Sequence, residues 1–137
     1  MVAYYPFNGD AKDASGNGHD AVNFGAVPAP DRFGIANHAF AFDGHGQYMI
    51  TGTTFDFAER TVAFWFNMRA STGTYERVIA QNAHTLQYGA FGLGITVDGM
   101  IDARAGGNGS FSPGPTHIDT GKWYHIALVR HDRRIDR

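Results

Sequence analysis

Only two of the thirteen acidic side chains are glutamates, Glu59 and Glu76, and neither has an acidic neighbour two or four residues further on. Glycoside hydrolysis needs two carboxylates flanking the scissile bond, about 5–10 Å apart. Asp98 and Asp102 fall across a turn, where aspartate is ordinary turn chemistry. Ser15, Ser71, Ser110 and Ser112 lie in polar stretches, and none sits in a Gly-x-Ser-x-Gly elbow. The chain has no cysteine, which removes disulfides, thiolate metal sites and thiol nucleophiles together. These residues predict a protein that is not an enzyme.

Oxygen ligands are better represented. Asp13-Ala-Ser15-Gly-Asn17-Gly18 places oxygen side chains at alternate positions before a glycine, as in the front half of a helix–loop–helix calcium loop. The twelfth position is Phe24 rather than a bidentate glutamate, so the helical version is excluded. Two readings remain. A rim loop could supply Asp13 and Asn17 to calcium, with Asp43 from a second loop and backbone carbonyls completing the six to eight oxygens that calcium takes. Alternatively, the segment is a glycine-rich turn capped by its own Asp and Asn side chains, with no metal. Histidines 19, 38, 45, 84, 117, 125 and 131 form no H-x-H or H-x-x-x-H pair, and structural roles are expected for each.

Sugar sites combine an aromatic platform with planar polar groups, because C–H faces stack on rings while hydroxyls need donors and acceptors. The candidate platforms are Trp65, Tyr75, Tyr88 and Phe111. The candidate polar partners are Arg77, Gln81, Asn82, Asp102, Arg104 and Asn108. The expected ligand-binding set is Trp65, Tyr75, Arg77, Tyr88, Asp102, Arg104 and Asn108. Trp65 is the sharpest of these, since period-two alternation turns it away from the stripe Val62, Phe64, Phe66 and Met68. The competing reading is that both faces of a central strand are simply covered.

These residues need strands to position them. Eighteen glycines and eleven phenylalanines suit pleated surfaces and tight turns, not helix faces. Strands are expected at Val2–Phe7, Asn37–Phe42, Gln47–Thr51, Thr61–Arg69, Glu76–Gln81 and Trp123–Arg130, with a hairpin over Phe91–Ala105. Asp43–Gly46 reads as a tight turn, Asp98-Gly99 as a two-residue hairpin turn, and Gly106–Pro115 as a flexible loop. Gly92 and Gly94 strip one face of the hairpin's first strand of side chains, which marks close approach by another strand, a loop or a ligand.

The wider composition narrows the class. At 137 residues the chain is expected to be a single domain, and 43% hydrophobic content argues against intrinsic disorder. A net charge of −2 leaves no basic excess for a phosphate backbone, so nucleic acid is not the expected partner. No apolar run is long enough to span a membrane, and no signal peptide follows Met1.

Three ordered stretches carry a family likeness. The first is Val2-Ala-Tyr-Tyr-Pro-Phe-Asn-Gly-Asp with Asp13-Ala-Ser-Gly-Asn-Gly. The second is Asp31-Arg-Phe-Gly with Ala39-Phe-Ala-Phe-Asp-Gly. The third is Thr61-Val-Ala-Phe-Trp-Phe with Trp123-Tyr-His-Ile-Ala-Leu-Val. In this order the chain resembles the laminin-G-like, concanavalin A-like jelly-roll modules of bacterial and other extracellular proteins. The resemblance implies an all-β, two-sheet antiparallel jelly-roll sandwich that binds carbohydrate or protein and often carries calcium. It also implies that His125 packs within the sandwich. Relatives continue beyond the position of Arg137, so a jelly roll lacking its C-terminal strands is expected. Val2–Phe7 would then be left as an unpaired edge open to homo-oligomerisation.

The combined expectation is a noncatalytic, lectin-like adhesion module, extracellular or at the cell surface with its leader outside this chain. Its partner is a glycan or surface protein, and calcium is its candidate ion. The alternatives are a structural or assembly domain of a larger secreted protein, or a degenerate glycoside hydrolase relative.

Overall fold

A computed structural model describes residues 1–55, 57, 59–71, 73–81, 91–105, 109–111 and 116–130. The described residues contain ten strands and no helix, and every strand pairing is antiparallel. The chain divides into two compact units, Met1–Phe55 and Asp56–Arg137.

The first unit holds four three-residue strands: β1 (Val22–Phe24), β2 (Val27–Ala29), β3 (Ala39–Ala41) and β4 (Tyr48–Ile50). β1 pairs with β4 and β2 with β3. Between β1 and β2 the Asn23 amide closes a turn in both directions, donating to Ala26 O (2.7 Å) and accepting from Ala26 N (2.9 Å). Cross-strand partners Phe24 and Tyr48 stack at 4.6 Å between ring centroids. The Asp43–Gly46 turn forms as expected, with the Asp43 carboxylate accepting from the His45 N–H at 2.7 Å.

Val2–Phe7 is not a strand. It is an arm whose backbone groups are satisfied by the 13–19 loop instead of a ladder, and it ends at Phe7, whose φ of 57° is incompatible with a continuing strand. β1 and β2 carry no sequence signal of their own, because three-residue ladders are too short to show alternation.

The second unit holds β5 (Arg60–Asn67), β6 (Glu76–Gln81), β7 (Phe91–Ile95), β8 (Ile101–Ala105), β9 (Gly109–Phe111) and β10 (Trp123–Arg130). β5 and β10 pair along their full length, and β6-β7-β8-β9 form a four-stranded sheet. Alternation fills the space between these sheets. Phe64, Phe66, Tyr124, Ile126 and Leu128 from one side meet Val78, Ile79, Leu93, Ile95 and Ile101 from the other, joined by Met68 and Ile118. Leu93, Ile95 and Ile118 are each only 1% exposed. Burial of such a side chain contributes about 1.5–3 kcal/mol.

Three local departures follow from backbone geometry. A bulge between Arg77 and Ile79 lets Val78 and Ile79 both reach the core. The β7–β8 hairpin turns on three residues, not two. Gly99 N–H bonds Thr96 O at 2.9 Å, Thr96 N–H bonds Met100 O at 2.9 Å, and Gly99 takes φ 75°. That is a turn followed by a left-handed glycine bulge, which suits the right-handed twist of the strands. Within the expected Gly106–Pro115 loop, Gly109–Phe111 pairs with β8 as an edge strand; residues 106–108 and 112–115 lie outside the described set.

Candidate functional site

Strand register builds a row across the four-stranded sheet. Arg77 of β6 lies opposite Gly94 of β7, and Gly94 lies opposite Asp102 of β8. All three occupy the face turned away from Leu93 and Ile95, because successive side chains point to opposite faces. Adjacent strands are about 4.8 Å apart, so Arg77 and Asp102 flank the bare Gly94 backbone on either side.

The gap above Gly94 is filled by Tyr75. Its hydroxyl and Cζ occupy the place a Gly94 Cβ would need, and its Cε1 lies 2.7 Å from that point. The approach expected at the glycine-stripped face is therefore made by a side chain of the same chain. Tyr75 remains 40% exposed, so it is seated on the sheet below and open to solvent above. The arrangement seats an aromatic side chain over Gly94, with Arg77 and Asp102 at the flanking positions of the same row. Beside it runs a second row, Ala80, Gly92, Arg104 and Ser110, which gives Arg104 a register position on the same face as Asp102.

The expected ligand set does not form one site. Tyr75, Arg77 and Asp102 come together, with Arg104 adjacent by register. Trp65 stands on the outward face of the β5–β10 sheet, across the core from this row, where it packs on His125 with ring centroids 5.1 Å apart. His125 is correspondingly exposed and does not pack within the sandwich. Tyr88 and Asn108 lie outside the described residues.

The residues considered for calcium act as caps. Asp13 Oδ1 accepts from the N–H groups of Tyr4 and Ser15, both at 2.9 Å, and Oδ2 accepts from Ser15 Oγ at 2.8 Å and His19 N–H at 3.1 Å. Partial desolvation works to raise the Asp13 pKa. The hydrogen bonds from Tyr4, Ser15 and His19 outweigh it and hold the carboxyl well below the usual carboxylate range. Asn17 turns its NH2 group to Val2 O (2.9 Å) and Met1 O (3.3 Å), and Asp43 caps its own turn. Among the described residues, no three His, Asp or Glu side chains gather in a metal-holding group. This donor pattern fits turn capping better than calcium, since an ion would have to displace four donors from Asp13.

Sequence reasoning missed a polar cluster around His117. Its Nε2 lies 2.6 Å from where a Gly99 Cβ would stand, and its Nδ1 lies 3.3 Å from Asp119 Oδ1. Asp119 also accepts from Lys122 Nζ at 2.8 Å and from Tyr124 Oη at 3.3 Å. The Lys122 hydrogen bond and charge lower the Asp119 pKa and, reciprocally, raise that of Lys122. Neighbouring backbone bonds, Ile118 N–H to Gly99 O at 2.8 Å and Gly121 N–H to Met68 O at 2.8 Å, make this cluster a brace at one end of the core.

The concanavalin A-like lectin/glucanases superfamily, in its laminin-G-type form, matches residues 42–136. The chain belongs to that superfamily. The match takes in β5 to β10 and the Arg77–Gly94–Asp102 row, and it begins after the Asp13 loop. No curated protein and no solved structure matches the chain. A laminin-G-type domain fits a binding module, and no described helix is long and apolar enough to cross a membrane.

Proposed function

We propose that this laminin-G-type domain is a noncatalytic extracellular module that binds carbohydrate at Tyr75, with Arg77 and Asp102 as its flanking polar groups. One observation carries the reading: the phenol end of Tyr75 occupies the space over Gly94 while the residue stays 40% exposed, in a row whose flanking positions are Arg77 and Asp102. A supported ring offers a flat surface to sugar C–H groups at little entropic cost, and the two charged groups supply a donor and an acceptor to hydroxyls. The lectin relationship within the superfamily supports the same reading. The scarcity of glutamates and the lack of a spaced acid pair support binding without bond cleavage.

A glycan array with the wild-type chain and the Tyr75→Ala and Asp102→Asn variants tests this. Retention of a defined glycan class that both variants lose, while both still melt cooperatively, is the expected result. A blank array with folded wild type overturns the carbohydrate reading in favour of an assembly domain. Release of reducing sugar from any retained polysaccharide overturns the noncatalytic one.

A further inference from the structure

The arm Met1–Tyr5 is hydrogen-bonded to a loop beyond its own turn. Tyr4 N–H donates to Asp13 Oδ1 at 2.9 Å, and Ala14 N–H returns a bond to Tyr4 O at 2.8 Å. Val2 O accepts from both Ser15 Oγ (3.1 Å) and Asn17 Nδ2 (2.9 Å). Tyr5 Oη donates to His19 O at 2.6 Å. Arm and cradle are joined by residues 6–12, a connector that spans about 24 Å when extended.

That connector is strained where it turns. Phe7, a bulky residue with a Cβ, adopts φ 57°, and Gly9 follows at φ 86°, with the turn closed by Gly9 N–H to Phe7 O at 2.8 Å. The left-handed region is unfavourable for an L-residue, because its Cβ crowds the following carbonyl oxygen. The Phe7 ring is anchored edge-on to Phe40, with centroids 5.4 Å apart. Rotation of Phe7 about φ therefore swings residues 1–6 while the ring stays in place.

We infer that two copies of this chain exchange their Met1–Tyr5 arms, each arm docking in the other copy's 13–19 loop, with Phe7–Gly9 as the hinge. Every arm-to-loop bond is remade across the exchange, and opening the turn releases the left-handed strain in both copies. Short hinges under strain favour this kind of exchange. The partner is a second copy, because the cradle is complementary to this arm's own pattern of carbonyls, N–H groups and phenol. The inference is independent of the ligand reading at Tyr75.

Light scattering over a concentration series, after refolding at high concentration, measures the dimer. Gly9→Ala penalises only the closed turn, since its Cβ meets nothing within 4 Å. Each closed hinge then costs about tenfold, so the dimer dissociation constant is expected to fall about a hundredfold. Phe7→Gly relieves the strain and Phe7→Ala keeps it, while both remove the ring; the glycine variant should dimerise less.

The cysteine-free chain allows a direct assignment. A Tyr4→Cys chain refolded with an Ala14→Cys chain should cross-link between copies through a short bismaleimide. Wild type and Gly9→Ala that stay monomeric and folded at every concentration overturn the inference. So do dimers that give no Tyr4-to-Ala14 cross-link between copies. If Gly9→Ala does not fold, the Phe7 pair and the cross-link decide.

Discussion

Tyr75 and Gly94 share one space: the phenol ring lies where any side chain at position 94 would have to go. Gly94→Ala is therefore expected to push the ring off the sheet and destabilise the domain by about 1–3 kcal/mol, as overpacking does. In a Tyr75→Ala background the same substitution should cost far less. A double-mutant cycle by urea denaturation measures this coupling, and additivity within about 0.5 kcal/mol would show that the two residues do not compete.

The Asp13 carboxylate gives the first unit a pH dependence of known sign. Its folded pKa lies below the ordinary value near 3.8. It therefore contributes stability that is fully present above that value and is lost as pH falls through it toward the folded pKa. Wild type should melt above Asp13→Asn at pH 6, and the gap should narrow steadily below about pH 4. A gap independent of pH would remove Asp13 as the cause.

Calcium meets the same residue differently. Because both Asp13 oxygens already accept two hydrogen bonds each, added calcium or chelator is expected to leave the melting temperature unchanged. A calcium-dependent rise, abolished in Asp13→Asn, would restore the metal reading.

At the hairpin end, Gly99 combines φ 75° with His117 Nε2 2.6 Å from its missing Cβ. Gly99→Ala should cost about 1–2 kcal/mol from the left-handed backbone alone. Displacement of His117 adds to that figure, so His117→Ala should partly rescue the variant in thermal melts.

Leu93 tests the core between the sheets. It is 1% exposed and belongs to the buried cluster against which residues of both sheets pack. Leu93→Ala is expected to cost about 2–5 kcal/mol by denaturant titration. A cost below about 1 kcal/mol would mean that the two sheets do not close on this side chain.

Local features are legible in the order of residues. Alternation with period two identified the inward stripe of β5 and set the bounds of Glu76–Gln81 and Trp123–Arg130, because a strand's pleat assigns each side chain a face without reference to its partner. Glycine spacing marks the bare face of β7 without reference to what covers it. Which side chains meet there depends on strand pairing across the fold. Arg77 and Asp102 are 25 positions apart and share a row because β7 lies between them in one register, next to a bulge that no residue pattern announces. The same long-range pairing sent Trp65 to the other side of the core, and side-chain caps from the 13–19 loop turned Val2–Phe7 into an arm. Pattern assigns a residue to a face; register and loop closure, which depend on distant residues, assign it its neighbours.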